Sequence, residues 1–243
     1  MQKHLHHQPL IHPRVWDKHL KALGANVVIP PEHAAALQHW AQTIRDKSIG
    51  NFSETNLRGA FVEMLFIKVL GYTQFGTGAD CTILTERPPN HSAAADVNLG
   101  LFTGSEVKVI APVELKGPDT RNLDAIMPGR HISPVTQVWN YANDTVGASV
   151  IVVSNMLELR VYVMGRGKQA FERFDLLDVA SDARQYQRLQ LLLNAHNLLS
   201  GAAEQLLDET RVAEPSDAAA GAAPSRISPL TGEPVAGSND PPT

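Results

Sequence analysis

The sequence predicts an α/β fold: a mixed central sheet flanked by helices, followed by a C-terminal helical pair. Three observations predict it. Short apolar runs of strand composition succeed one another between residues 81 and 115, separated by turn residues. A helical segment then separates them from a second pair of apolar runs at residues 149–164. Amphipathic helical segments stand before and after both groups. Strands joined first through hairpins and then through a helix have antiparallel and parallel neighbours, and such a sheet needs helices to cover it.

Taken in order, residues 1–30 are an N-terminal extension with little periodicity beyond Val15-Trp16-Asp17-Lys18-His19-Leu20. Pro30-Pro31 opens a helix to about Asp46, since proline is tolerated in a first turn. Ala35, Leu37, Trp40, Ala41 and Ile44 fall on or near one of its faces. Ser53 is an N-cap for a second helix, Glu54 to Leu70, with Glu54 at its positive end. The half from Phe61 to Leu70 is apolar nearly all round, the pattern of a buried helix. Gly71 ends it.

Strands are expected at Cys81–Glu86, Ala95–Leu101 and Glu106–Leu115. Pro88-Pro89-Asn90 separates the first two, and Thr103-Gly104-Ser105 turns a hairpin between the second and third. The polar loop Gly117–Ile132 contains Asp119, Arg121, Asn122, Asp124 and Arg130, and a loop of that length is usually functional or disordered. Ser133-Pro134 caps a helix to about Asp144. Ser149–Ser154 is a continuous apolar strand of the buried kind. Leu157–Met164 alternates, with Leu159, Val161 and Val163 against Glu158, Arg160 and Tyr162, and reads as its hairpin partner or neighbour. Two amphipathic helices fill Asp182–Arg211 and break near Ser200-Gly201. Their leucines lack a sustained heptad, so core packing explains them better than a zipper. From about Ala213 the chain is Ala, Gly, Ser and Pro, too poor in large apolar residues to fold alone. The expected organisation is an extension (1–30), a sheet domain (31–180), a helical extension (181–212) and a disordered tail or linker (213–243).

Composition bounds the function. With 43 % apolar and 19 % charged residues the chain is of ordinary globular kind. The single cysteine, Cys81, excludes an intramolecular disulfide framework and a cysteine-rich zinc site. No apolar run reaches the roughly 18 residues of a membrane helix, and the start has no apolar signal core, so a soluble cytoplasmic protein is expected. The formal charge is −4, of which the segment from Ala213 carries −3, leaving residues 1–212 near neutral. Near neutrality does not support strong nonspecific DNA binding, but it leaves room for a local basic cleft. His4, His6 and His7 cluster at the terminus. The other histidines are scattered, without HxxxH or HExxH spacing, so they read as surface or core residues.

The chemistry concentrates at Pro112-Val113-Glu114-Leu115-Lys116-Gly117. Glu114 and Lys116 are two apart, so on a strand both side chains point to one face. From these two residues alone, a solvent-facing salt pair on an edge strand is as good a reading as a metal-assisted hydrolytic site. Asp96 shifts the balance. It stands at the mouth of the preceding strand, one hairpin away, and can reach the same point. Hard cations such as Mg²⁺ take a few carboxylate oxygens and keep several waters. Asp96 and Glu114 would supply such oxygens, with Lys116 beside a water or the scissile phosphate.

On these residues the sequence resembles the PD-(D/E)xK nuclease superfamily. Ala95-Asp96 stands where the family has Pro-Asp, and Glu114-Leu115-Lys116 is a complete ExK. The apolar helix ending Leu70-Gly71-Tyr72 fits as well. So does Gln137-Val138-Trp139-Asn140-Tyr141, a QxxxY pattern whose ends share a helix face. The resemblance covers roughly residues 50–210. Glu54-Thr55-Asn56, Glu114 to Thr120 and Asn122-Leu123-Asp124 narrow it to the N-terminal endonuclease region of single-chain, type IIG-like restriction–modification enzymes. There an N6-adenine methyltransferase follows on the same chain.

The resemblance implies a restriction-endonuclease-like αβββαβ core and Mg²⁺-dependent hydrolysis of double-stranded DNA, with Mn²⁺ as a substitute. It implies a metal site of Asp96, Glu114 and the Leu115 carbonyl, Lys116 as the water-positioning residue, and Gln137 and Tyr141 along the DNA cleft. Members often add a helix carboxylate. Glu54 and Glu63, nine residues apart at about 100° each, lie on opposite helix faces. At most one faces the site, and Glu54 fits better. Arg58, four residues on, would pair with Glu54 in the plainer reading. Two departures are clear: Ala95 replaces the family proline, and neither a cofactor glycine loop nor an NPPY-type motif is present. Target choice lies downstream in such enzymes, so a methyltransferase or specificity partner, or a parent bifunctional chain, is expected. Two rivals stand beside this reading. One is a DNA-binding or assembly module whose catalysis is absent or partner-dependent. The other is an α/β interaction protein with no nucleic-acid role.

Overall fold

The computed structural model describes residues 7–24, 28–46, 48–77, 80–85 and 95–214. Within them six strands form one sheet in sequence order: β1 (Cys81–Leu84), β2 (Val97–Phe102), β3 (Val107–Leu115), β4 (Val150–Ser154), β5 (Glu158–Val163) and β6 (Glu172–Asp175). Every neighbouring pair is antiparallel except β3 and β4, which run parallel with Glu114 opposite Val153. A parallel pair needs a crossover, and α4 (Pro134–Asn143) supplies it. The sheet is therefore mixed, and its chain order around the crossover is helix, three strands, helix, strand.

Two apolar layers cover the sheet. Val150 and Val152 of β4 point into the larger core, and Ile151 and Val153 point into a second core with Val135, Val138, Trp139 and Ala142 of α4. The larger core takes Leu37, Trp40 and Ala41 of α2 (Pro31–Arg45) and Leu57 and Phe61 of α3 (Glu54–Phe61). It also takes Tyr186, Leu189 and Leu192 of α6 (Ala183–Leu193) and Leu206 and Leu207 of α8 (Ala202–Ala213). Ser53 caps α3 and Ser133 caps α4, each hydroxyl accepting the backbone N–H three residues on.

Several elements differ from the sequence pattern. The N-terminal extension holds a helix, α1 (Pro13–Ala22), capped by the His12 ring and buried through Val15, Trp16 and Leu20. Val15, Trp16 and Leu20 pack in the same core as the sheet and α8, so the segments expected at 1–30, 31–180 and 181–212 share one compact unit, Met1–Ala213. Glu214–Thr243 is a second unit, of which only Glu214 is described. The disordered tail expected from residue 213 lies almost wholly outside the described residues. So do Pro88-Pro89-Asn90, Glu86, His4 and His6. The helical pair is a trio, because α7 (Ala195–Leu199) is set off from α6 at Asn194, whose backbone is extended and whose side chain caps the next turn. A short helix, α5 (Leu176–Ser181), and strand β6 were both missed, being too brief for a periodic pattern.

The helix expected over Glu54–Leu70 changes its winding midway. Past Phe61 it continues as a π-helix, Val62–Val69. Leu70 N–H donates to the Leu65 carbonyl five residues back, and Glu63 pairs with Lys68, also five residues apart, at 3.7 Å. Gly71 closes it with φ +76°, a conformation glycine adopts without a Cβ clash. β5 is the antiparallel neighbour of β4, as its alternation suggests, and all six of its residues are buried, Glu158 and Arg160 included. Arg160 lies under the 117–132 loop, bound to Asp124 and Glu158. Among the described residues no helix is long and apolar enough to cross a membrane.

Candidate active site

β3 is an interior strand, so the Glu114–Lys116 pair is not on a sheet edge. Glu114 is 1 % exposed and Lys116 is 6 % exposed, and their side chains bond directly to each other. The solvent-facing salt pair is excluded. Burying two opposite charges costs desolvation that mutual attraction only partly offsets, so the pair needs more than stability to explain it.

Asp96, just before β2, completes the group from the other arm of the hairpin. Val97 pairs with Val113, which brings Asp96 level with the end of β3. Asp96 Oδ2 accepts the Leu115 N–H at 2.8 Å. Its Oδ1 lies 2.9 Å from Arg58 Nη1. A bulge between Leu99 and Gly100 sets this register. At Gly100 a Cβ would overlap the Lys108 carbonyl oxygen.

Glu114 is pushed up from the ordinary carboxylate range to about 7. Burial is the largest cause, and the neighbouring Asp96 charge adds to it. Lys116, and more weakly Arg130, pull the other way without cancelling them. The two carboxylates therefore feel one another across the hairpin. That donor set fits a hard divalent cation, which needs only one or two protein carboxylates and fills its other positions with water and phosphate oxygens. No group of three or more His, Cys, Asp or Glu side chains is placed to hold a metal among the described residues. A cation there could take oxygens from Asp96, Glu114 and the Leu115 carbonyl.

The structure brings Glu54 to the edge of this group and puts Glu63 elsewhere. Glu54 Oε2 accepts the Gly117 N–H at 2.9 Å and Oε1 accepts from Arg58 Nη2 at 3.0 Å. Glu54 thus ties the start of α3 to the chain just past Lys116. Glu63 is exposed and faces a groove between α2 and the π-helical turn, beside Thr43, Phe52 and Met64.

Gln137 and Tyr141 share a face of α4, and Gln137 Nε2 donates to the Tyr141 hydroxyl at 2.8 Å. Gln137 Oε1 accepts from Arg130 Nη1 at 3.3 Å. Arg130 is the link the sequence left unassigned: an exposed cation of the long loop that reaches the QxxxY face and acts on Glu114. The loop itself is fixed at several points. Leu123 is buried, Asn155 Nδ2 donates to the Thr120 carbonyl at 3.0 Å, and Asp124 pairs with Arg160 at 2.7 Å. Arg58 was expected only to pair with Glu54; its second partner, Asp96, has no local signal in the sequence.

Fold and site together define a mixed α/β protein with a buried carboxylate–lysine centre at the end of its interior hairpin. Comparison with known proteins finds no matching family model, no matching curated protein and no matching solved structure.

Proposed function

We propose that the protein is a Mg²⁺-dependent DNA endonuclease of the restriction type, the nuclease portion of a restriction–modification system, working in the cytoplasm. The observation that carries this reading is the meeting of Asp96, Glu114 and Lys116 at one hairpin end, with both members of the ExK pair buried. Asp96, Glu114 and the Leu115 carbonyl would hold Mg²⁺, or Mn²⁺ in its place. A divalent cation held there supplies positive charge to the scissile phosphate. Lys116 positions the attacking water or stabilises the charge that develops on phosphorus oxygens. The water adds to phosphorus and gives up a proton to solvent, one P–O bond breaks, and the leaving oxygen takes up a proton from solvent. Gln137, Tyr141 and Arg130 hold the DNA backbone, contacts that position without reading bases.

The test is cleavage of supercoiled plasmid with and without Mg²⁺ by the wild type and by Asp96→Asn. Mg²⁺-dependent cutting lost in the variant supports the reading, and equal activity in the two contradicts it.

One observation favours a second reading, a DNA-binding or assembly module whose catalysis depends on a partner such as a methyltransferase or specificity subunit, or on a parent nuclease–methyltransferase chain. Asp96 is paired with Arg58 and Glu114 with Lys116, so both carboxylates already have an internal cation. DNA binding without metal-stimulated cutting identifies that case.

A further inference from the structure

Arg58 is a charged group of the site to which the proposed chemistry gives no task. Its guanidinium bridges two carboxylates, with Nη1 2.9 Å from Asp96 Oδ1 and Nη2 3.0 Å from Glu54 Oε1. Its Nε is buried without a hydrogen-bond partner. The backbone N–H of Leu115 already takes Asp96 Oδ2. The Asp96 oxygen not held by the backbone is therefore the one that Arg58 covers.

We infer that Arg58 is a built-in competitor for the divalent cation: its guanidinium occupies Asp96 Oδ1 and must leave before a metal ion takes that oxygen. The inference rests on the nuclease reading of Asp96 and Glu114. The geometry allows the exchange. Arg58 and Glu54 are four residues apart on α3, neighbours on one helix face, so the guanidinium can release Asp96 and keep Glu54. The Arg58 side chain is 36 % exposed, against 16 % for Asp96. The arginine is the member of the pair with room to move toward solvent, and the aspartate stays fixed by the backbone.

If Arg58 instead served to orient the carboxylates for the metal, its removal would weaken binding. The two roles have opposite signs. The test is a titration of free Mn²⁺ by its electron paramagnetic resonance signal, without DNA, in the wild type, Arg58→Met, Arg58→Lys and Asp96→Asn. Methionine keeps the apolar stem and removes the charge, so circular dichroism of this variant should match the wild type. Arg58→Met is expected to bind Mn²⁺ about ten-fold more tightly, the effect of removing one charge close to the ion. Arg58→Lys is expected to bind no more tightly than the wild type. Unchanged or weaker binding by Arg58→Met, alongside wild-type binding that Asp96→Asn abolishes, would overturn the competitor role and leave the metal site standing. Absence of Mn²⁺ binding in all four proteins would overturn both.

Discussion

Glu54 Oε2 accepts the backbone N–H of Gly117 at 2.9 Å, joining the first turn of α3 to the residue immediately after Lys116. A carboxylate at a helix start, already favoured there by the positive end of the helix, thereby fixes where the chain leaves β3. A Cβ at Gly117 would stand 3.5 Å from the Glu54 Cβ, so the two segments are in van der Waals approach.

Replacing Glu54 separates its two roles. Glu54→Gln keeps an oxygen for Gly117 N–H, and its unfolding free energy in urea should lie close to wild type. Glu54→Ala removes the acceptor and should cost about 1 kcal/mol, as the site is partly solvated. Equal losses in both variants would mean that charge, not the hydrogen bond, is what Glu54 contributes.

The raised Glu114 carboxyl gives a pH signature with a definite sign. Below its ordinary value of 4.5 the residue is protonated in both folded and unfolded chains. Between there and about 7 the unfolded chain ionises first, so the Glu114 contribution to stability falls as pH rises. The full fall should be of the order of 3 kcal/mol, and Glu114→Gln should lack it. Urea unfolding of both proteins across this range measures the difference. Cleavage should move oppositely: at sub-saturating Mg²⁺ the rate should rise through about pH 7, as the ionised carboxylate becomes available.

Local signals in the sequence located much of this. Ser53, Ser133 and the Thr103-Gly104-Ser105 turn act within a few residues of themselves, and each places an element boundary. The two-residue spacing of Glu114 and Lys116 gives their shared face directly. Other features depend on distant partners. Arg58 of α3 meets Asp96 just before β2, and Arg160 pairs with Asp124 of a remote loop. The π-helical winding is not legible because Phe61–Leu70 is apolar nearly all round, and its two charges, Glu63 and Lys68, are too few to define a period. Strand β6 buries Glu172 against Arg188 and the Ile11 N–H, partners far from it in sequence.

Arg130 should act as a backbone contact rather than a reader of sequence. Arg130→Ala is expected to weaken binding to all duplexes alike and to lower the slope of log affinity against log salt by about 1. Fluorescence anisotropy at several salt concentrations measures this. A loss confined to one DNA sequence would contradict it.

The hairpin register depends on Gly100. Gly100→Ala would drive a methyl group into the Lys108 carbonyl oxygen, and the bulge must open to relieve it. A stability loss of about 1–3 kcal/mol is expected, with weaker cleavage because Asp96 no longer aligns with Glu114. A wild-type melting temperature would show that the register does not need this glycine.

The most direct measurement is the rate of plasmid cleavage in Mg²⁺ by the wild type and by Lys116→Ala, with duplex affinity measured in parallel. The expected result is cutting by the wild type that requires Mg²⁺, and a loss of about 10²-fold or more in the variant at similar DNA affinity. Equal cleavage rates in the two proteins, or a wild type that binds DNA and never cuts it in Mg²⁺, would contradict the assignment of Lys116 and its neighbours to catalysis.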